Sequence, residues 1–360
     1  AHPHLGRGPP AAGAPVTTVV VLLVVGLALG AVAERIVTPG RAGPGGLGNV
    51  GATRPRRSRR RVLAWVGVGL VALVVAGAVA GYLWADSVFD EIDKVDVSSA
   101  LSDSGSGTNY LLVGSDNAQA EEEQRLGVSG SRSDTIMVLH VEGGSAKMLS
   151  LNRDLWIRNP ATGEEGRINA AYNAGPTNLI EAITSNYGIA IDRYLEIDFA
   201  SFSGLVDSFG GIDIDFANPA FDLASGLDVQ EAGTVHLDGT QALAYVRSRH
   251  YTEVIDGQPV PEGGLPDVNR TRRQQTFLRA IMSKAGSRRN PFTLMSAASK
   301  MSDGLRVDDD MTMFQAARFA WDMGKLDPVT VELPVVPTTK GAAQVLELGP
   351  GAEEVLAQFR

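Results

Sequence analysis

The 360-residue chain contains no cysteine. Disulfide bonds, thiolate metal sites and a cysteine nucleophile are therefore excluded. The sequence also lacks the Gly-x-Ser-x-Gly pattern of a nucleophile elbow and the glycine-rich Lys-Ser/Thr pattern of a phosphate-binding loop. His140, His236 and His250 are not at metal-ligand spacing, and the apolar strand around His140 predicts a core histidine.

Acidic residues are nearly missing from the first 61 positions, which hold nine arginines and one acid, Glu34. The remainder has 23 bases and 40 acids, a net charge of −17, which argues against nucleic-acid binding. Five arginines nevertheless fall between residues 245 and 275, at positions 247, 249, 270, 272 and 273. A dense arginine group in an acidic domain indicates a strongly anionic ligand such as phosphate.

Long uncharged segments occur only near the beginning of the chain. Residues 62–85 form an apolar run of 24 residues with aromatic residues near both ends, which predicts a transmembrane helix. Arginines precede this run and acids follow it, so we expect the rest of the chain on the extracellular side of the cell membrane. A cleaved signal peptide is the alternative. Within the N-terminal region 1–61, residues 16–33 predict a first spanning helix and the arginine-rich segment 34–61 a cytoplasmic loop, which puts the N-terminus outside; a non-spanning segment is the alternative.

Downstream of the apolar run, composition and periodicity predict one folded domain. Residues 86–108 are expected to be a juxtamembrane linker, 109–340 the folded domain and 341–360 a C-terminal tail. Short apolar strands alternate with helical segments over the domain. This pattern predicts an α/β (α+β) fold with a mixed central β-sheet that helices cover on both sides.

The segment 267–275 is predicted to begin a helix with Asp267 as its N-cap. Arg270, Arg273 and Gln274 then share one helix face, where guanidinium groups and free amides both favour an anion. A solvated basic surface is the alternative interpretation.

Two aspartates follow or begin neighbouring predicted strands. Asp116 directly follows the predicted strand 110–115. Asp134 directly precedes the predicted strand 135–141, and Arg132 lies two residues before it. Paired carboxylates of this kind suit Mg²⁺ that is shared with substrate phosphates, although either residue alone is typical of a turn or an N-cap. Arg153, at the end of a third strand, completes a pattern of charged strand ends.

These motifs together resemble the LytR-CpsA-Psr family of bacterial envelope enzymes. The matching stretches, in family order, are NYLLVGSD (109–116), RSDTIM (132–137), LSLNRD (149–154), RINAAY (167–172), GGID (210–213), LDGTQALAYVRSR (237–249) and DVNRTRRQQ (267–275).

The resemblance implies a phosphotransferase that moves an anionic glycopolymer from a polyprenyl-pyrophosphate carrier to a peptidoglycan sugar hydroxyl. It implies metal contacts for Asp116 and Asp134 with Mg²⁺ or Mn²⁺, and catalytic roles for these two together with Arg249, Arg270 and Asp267. The residues expected to bind the pyrophosphate are Arg132, Arg153, Arg167, Arg247, Arg249, Arg270, Arg273 and Gln274. The lipid is expected near Ile183, Leu195, Ile197, Phe199, Phe202, Leu205 and Phe277, although plain core packing also explains these residues.

The chain departs from the family pattern at three places. Ala118 and Asn152 stand where arginine and proline are common, and the loop 250–266 is long. Two other functions stay open on the sequence alone. One is hydrolysis of a lipid pyrophosphate, and the other is a non-catalytic envelope-binding or regulatory role.

Overall fold

The computed structural model describes residues 57–115, 133–287, 297, 299–301 and 304–360. The chain divides into two compact units, with the boundary between Tyr82 and Leu83. The apolar run lies in helix α1, which extends over Arg57–Asp90. Its section Trp65–Asp90 is long and apolar enough to cross a membrane. The other predicted span, residues 16–33, lies outside the described residues.

The second unit is built on a mixed seven-stranded sheet. The strands in the described residues are β1 (Asp93–Val95), β2 (Thr108–Ser115), β3 (Ser133–Glu142), β4 (Ser145–Ser150), β5 (Trp156–Arg158), β6 (Glu165–Arg167), β7 (Arg193–Asp198), β8 (Ile212–Phe216), β9 (Ala220–Asp222), β10 (Leu227–Val229), β11 (Gly233–Leu237), β12 (Thr252–Ile255), β13 (Gln258–Pro261), β14 (Leu305–Asp308), β15 (Val329–Val331), β16 (Val335–Lys340) and β17 (Ala343–Leu348). The order in the seven-stranded sheet is β1-β14-β7-β2-β3-β4-β15. The pairs β2–β3, β3–β4 and β7–β14 are antiparallel, whereas β2–β7, β1–β14 and β4–β15 are parallel.

Helices cover both faces of this sheet, which confirms the predicted fold class. Alternation along β3 sends Ile136 and Val138 into one core and Met137 and Leu139 into another. The helices of the second unit in the described residues are α2 (Ile168–Tyr172), α3 (Pro176–Tyr187), α4 (Phe199–Ser208), α5 (Gly239–Arg247), α6 (Pro266–Ser287), α7 (Met313–Met323) and α8 (Ala352–Leu356). The helices α2 and α3 pack on the first face, and Met282 of α6 and Met323 of α7 pack on the second.

The folded unit extends beyond both predicted boundaries of the catalytic domain. In the expected linker, β1 pairs with β14 and Val97 is fully buried. In the expected tail, β17 pairs with β16, and Phe359 is fully buried. The Asn109 side chain donates to the Phe359 carbonyl (2.8 Å) and also bonds the ring of His140 (2.8 Å), which is a buried histidine as predicted. Residues on both sides of the expected domain are therefore part of its core.

The long loop after His250 is largely a β-hairpin. Its strands β12 and β13 pair with each other, and β12 also pairs with β9 of the four-stranded sheet β10-β9-β12-β13. Asp256 and Gly257 form the turn with positive φ angles of 50° and 75°. A glycine suits such a conformation because it has no Cβ. In the chain, the hairpin directly precedes helix α6, which carries the predicted anion-binding face.

Candidate functional site

Three of the predicted arginines, from three separate segments, meet at one carboxylate. Oδ1 of Asp267 lies 3.0 Å from Nη2 of Arg270, 3.6 Å from Nε of Arg249 and 3.8 Å from Nε of Arg153. Helix α6 begins at Pro266, so Asp267 lies in its first turn rather than at the predicted N-cap. The structure thus brings together residues that lie far apart in the chain.

Asp154 adds a second carboxylate that the sequence analysis did not select. Its Oδ1 lies 3.2 Å from Nε of Arg167, and its Oδ2 lies 3.8 Å from Nε of Arg153. Arg167 also donates from Nη2 to the Gln344 carbonyl (2.7 Å) in β17. Burial raises the pKa of Asp154, and the nearby negative charge of Asp267 raises this pKa further, against the opposing effect of Arg153 and Arg167.

The described part of this site has a surplus of positive charge. Four arginines at positions 153, 167, 249 and 270 surround the two carboxylates at 154 and 267. The side chain of Arg270 is 3% exposed, whereas those of Arg249 and Arg167 are 33% and 44% exposed. Partly buried guanidinium groups bind phosphate oxygens strongly, because the low local dielectric strengthens the attraction and the fork geometry fits two oxygens. We call these six residues the arginine site.

The turn that carries Arg249 is held by a buried acid, Asp222. One of its oxygens, Oδ2, accepts from the Ser248 hydroxyl (2.7 Å) and from the backbone amides of Arg249 (2.9 Å) and His250 (2.8 Å). Burial alone would raise the pKa of Asp222, but these hydrogen bonds and one from the Ala224 amide lower it to about 2. No motif in the sequence marks Asp222, because its partners become neighbours only when β9 packs beside the end of α5.

Two of the predicted pyrophosphate-binding residues contact protein groups. Arg273 is buried and donates from Nη1 to Glu262 (2.6 Å) and from Nη2 to the Ser248 carbonyl (2.8 Å). Gln274 is also buried, and its Nε2 donates to the Val246 carbonyl (3.4 Å). Arg247, in the last turn of α5, is half-buried.

The fifth arginine of the segment, Arg272, points away from the arginine site. Its guanidinium pairs with Glu332 (2.8 Å), and its side chain is 56% exposed. Helix geometry explains the difference, because successive residues on a helix face different directions.

The predicted metal ligands are described only in part. Asp116 and Arg132 lie outside the described residues, and the structure describes the backbone of Asp134 but not its side chain. In the β2–β3 ladder, Gly114 pairs with Thr135 and Ser115 pairs with Ser133, so Asp134 lies opposite the step between them. Asp134 and Ser115, the residue before Asp116 in the sequence, therefore lie at the same end of neighbouring strands.

The residues expected near a lipid are divided among different cores. Phe202 of α4 and Phe277 of α6 stack with ring centroids 4.3 Å apart, and Leu205 packs in the same cluster. Ile183 lies on the opposite face of the sheet, in the core of α2 and α3. Leu195 packs with Val307 in a further cluster. The described members of the expected set therefore belong to separate cores, and the structure does not describe the side chain of Phe199.

The fold and the arginine site define a class of α/β domain that places arginines from several strand and helix ends around a candidate anion site. Residues 81–346 match the model of the LytR_cpsA_psr family, and the chain belongs to this family.

Curated relatives agree with this assignment. The chain is 33% identical over 282 residues to "Probable cell wall biosynthesis protein LcpB" of Corynebacterium glutamicum, with 75% of this chain and 63% of LcpB covered. It is 30% identical over 193 residues to "Polyisoprenyl-teichoic acid--peptidoglycan teichoic acid transferase TagV" of Bacillus subtilis, with 50% and 46% covered. The chain thus spans less than two thirds of the length of these relatives.

Solved structures share the fold. The "LytR-Csp2A-Psr enzyme from Actinomyces oris" matches with a TM-score of 0.61 and 26% identity, over 74% of this chain and 95% of that one. Bacillus subtilis TagV matches with a TM-score of 0.55 and 21% identity, over 70% and 95%.

Proposed function

We propose that the protein is a membrane-anchored phosphotransferase that attaches an anionic glycopolymer to peptidoglycan. The donor is a glycopolymer on a polyprenyl-pyrophosphate carrier, and the acceptor is a sugar hydroxyl of the wall. Membership of the family and the transferase activity given in the name of the TagV relative support this assignment. The observation that carries it is the convergence of Arg153, Arg249 and Arg270 on Asp267.

The chemistry follows from what these residues can do to a pyrophosphate. The acceptor hydroxyl oxygen forms a bond to the phosphorus that carries the glycan, and the bond from that phosphorus to the bridging oxygen breaks. Polyprenyl phosphate leaves with the bridging oxygen, and the hydroxyl proton is released. Arg153, Arg249 and Arg270 neutralise the negative charge that develops on the oxygens, which is the main contribution a protein makes to phosphoryl transfer.

A divalent cation, Mg²⁺ or Mn²⁺, is part of the proposal. Asp116 and Asp134 would hold it, and the strand register that brings Asp134 and Ser115, the residue before Asp116, to one sheet end supports a shared site of two carboxylates. When bound, the cation supplies Lewis-acid polarisation of a phosphoryl oxygen. Asp267 orients Arg249 and Arg270, and Asp154 orients Arg167.

The proposed location is the outer face of the cell membrane. The candidate spanning section Trp65–Asp90 supports membrane attachment. The six arginines between residues 54 and 61 and the acids that follow residue 85 support a cytoplasmic beginning of the helix and an extracellular catalytic unit. This orientation places the arginine site on the side where a wall acceptor is present.

The proposal can be tested with the full chain in detergent micelles, a polyprenyl-pyrophosphate-linked sugar, Mg²⁺ and peptidoglycan. Covalent sugar on peptidoglycan supports transfer. Lipid monophosphate without a wall product indicates hydrolysis, and binding without turnover indicates a regulatory role. Arg249→Ala and Arg270→Ala should each lower turnover by roughly 10²-fold or more, because each removes one preorganised charge from the site.

The matched control is Arg272→Ala, which removes an exposed arginine from the same helix. Its salt bridge with Glu332 lies on the surface, so turnover should stay near that of the unmodified protein. Normal activity in Arg249→Ala and Arg270→Ala would contradict the placement of the site.

A further inference from the structure

The base of the β12–β13 hairpin closes around one arginine, Arg273. The Glu262 amide donates to the Tyr251 carbonyl (2.9 Å), which joins the residues just before and just after the two strands. Both residues also contact Arg273, since Glu262 accepts from Nη1 and the Tyr251 ring lies 4.8 Å from the guanidinium carbon. The hairpin is thus attached to helix α6 through a charged and a cation–π contact.

The remaining terminal nitrogen of Arg273 holds the turn that carries Arg249. Its Nη2 donates to the carbonyl of Ser248, a residue that is fully buried. On the other side of this turn, Asp222 accepts from the Ser248 hydroxyl and from the two amides that follow. Ser248 is therefore held through both its side chain and its carbonyl. These contacts fix the direction of the backbone that continues to Arg249.

These contacts use one N–H group on each terminal nitrogen of Arg273. A phosphate bound through the same two N–H groups would have to displace a partly buried charge pair with a 2.6 Å donor–acceptor distance and the bond to Ser248. Arg273 thus contacts the hairpin base and the turn of Arg249, whereas Arg153, Arg249 and Arg270 contact Asp267. The contacts of Arg273 are those of a support for the arginine site.

We propose that Arg273, Glu262 and Tyr251 are positioning residues, which hold Ser248 so that Arg249 faces the pyrophosphate of the donor. This inference rests on the proposed function for the identity of the ligand, but it assigns Arg273 a role through Arg249 and not a contact with the ligand. The long hairpin then has a structural role, because the base of the hairpin supplies Glu262 and Tyr251, which keep Arg273 in place. Lysine cannot replace Arg273, since a single ammonium does not reproduce two donors in a rigid fork.

The test combines ligand binding with a local structural measurement on the full chain in detergent. Affinity for inorganic pyrophosphate is measured by calorimetry for the unmodified protein, Arg273→Lys, Arg249→Ala and the double variant. Arg273→Lys should weaken binding about tenfold, and the double variant should bind no more weakly than Arg249→Ala, because coupled residues are not additive. Arg272→Lys, one position away on an exposed face, is the matched control and should change nothing.

Hydrogen exchange at the Arg249 and His250 amides supplies a readout that does not depend on the ligand. Both amides bond Asp222, so release of the Ser248 carbonyl should speed their exchange in Arg273→Lys and leave it unchanged in Arg272→Lys. Glu262→Gln, which keeps an acceptor but removes its charge, should produce the same changes to a smaller degree and serves if Arg273→Lys folds poorly.

Two outcomes would overturn the inference. Losses of affinity that multiply in the double variant would show that Arg273 contacts the anion itself. Unchanged exchange at Arg249 and His250 would show that Arg273 does not hold the turn. If the unmodified protein fails to bind pyrophosphate, the proposed function loses its anion site, and the exchange measurement still decides the positioning role.

Discussion

Replacement of the buried Asp222 by asparagine tests how the turn of Arg249 is held. The carboxylate accepts three hydrogen bonds at Oδ2, and at Oδ1 it accepts from the amides of Ala224 (2.9 Å) and Ser225 (3.4 Å). An asparagine amide has one oxygen, so its NH₂ group must face donors on one of the two sides. The less costly arrangement keeps the three bonds at Oδ2 and loses the two at Oδ1.

Two estimates of the cost, both based on the hydrogen bonds of Asp222, agree. A hydrogen bond to a charged group contributes about 1.5–3 kcal/mol, so the loss of one good and one long bond costs about 3 kcal/mol. The pKa of Asp222 falls from an ordinary value of 3.8 to about 2. A shift of this size corresponds to about 2.5 kcal/mol at neutral pH. We therefore expect Asp222→Asn to lower the free energy of unfolding by about 3 kcal/mol at neutral pH.

The pH dependence gives this prediction a second, sharper test. Because the folded-state pKa of Asp222 lies below its unfolded value, its stabilisation is complete above the unfolded pKa and is lost as pH falls through the folded pKa. The difference between the unmodified protein and Asp222→Asn should fall to about half near pH 3. Urea unfolding of the full chain in detergent, followed by tryptophan fluorescence between neutral pH and about pH 3, measures this difference.

The control for this experiment is Asp228→Asn in β10, because Asp228 is exposed and lies in the same small sheet. It should change the free energy of unfolding by no more than about 0.5 kcal/mol. A destabilisation of Asp222→Asn below about 1 kcal/mol, or one that does not shrink toward low pH, would refute the reasoning.

Three further outcomes follow from the structure. Phe359→Ala should lower the free energy of unfolding by about 3–5 kcal/mol in thermal or urea unfolding, because the ring is fully buried; an effect near zero would mean that this segment does not pack as described. Glu196→Gln should cost about 2–4 kcal/mol, because Glu196 accepts from Tyr172 (2.5 Å) and Tyr194 (2.7 Å) and pairs with Arg306 (3.1 Å). Burial opposes ionisation of Glu196, but these bonds lower its pKa, so the measured loss should shrink as pH falls toward that pKa; a constant loss would contradict this account. Chelation with EDTA should stop turnover of the polyprenyl-pyrophosphate donor, and Mg²⁺ or Mn²⁺ should restore it; full activity in EDTA would contradict the metal proposal.

Local sequence signals predicted helices and strands correctly where a single physical effect, such as a long apolar run, determined them. The uncharged run 62–85 lies in a helix, because a long apolar segment without charges has few alternatives. The apolar runs that became β2, β3 and β4 form adjacent strands of one sheet, and the mixed fold class is confirmed. The spacing of Arg270, Arg273 and Gln274 placed all three on a buried helix face.

Spacing alone did not predict what these three residues contact. Arg270 reaches Asp267, whereas Arg273 reaches Ser248 and Glu262. The difference depends on which segment packs over each turn of α6, and those segments are distant in sequence. For the same reason the extent of the domain was underestimated, since the pairing of β1 with β14 and the burial of Phe359 are long-range contacts.

The sequence by itself determined the apolar helix, the strand and helix pattern, and the set of arginines and aspartates available for phosphate chemistry. Only the tertiary structure decided how these groups are used. It brought Asp154 beside Asp267, placed the buried Asp222 under the turn of Arg249, and turned Arg272 toward Glu332. The physical reason is that hydrophobic periodicity acts over a few residues, whereas a charged group acquires its role from neighbours that chain folding brings within a few ångströms.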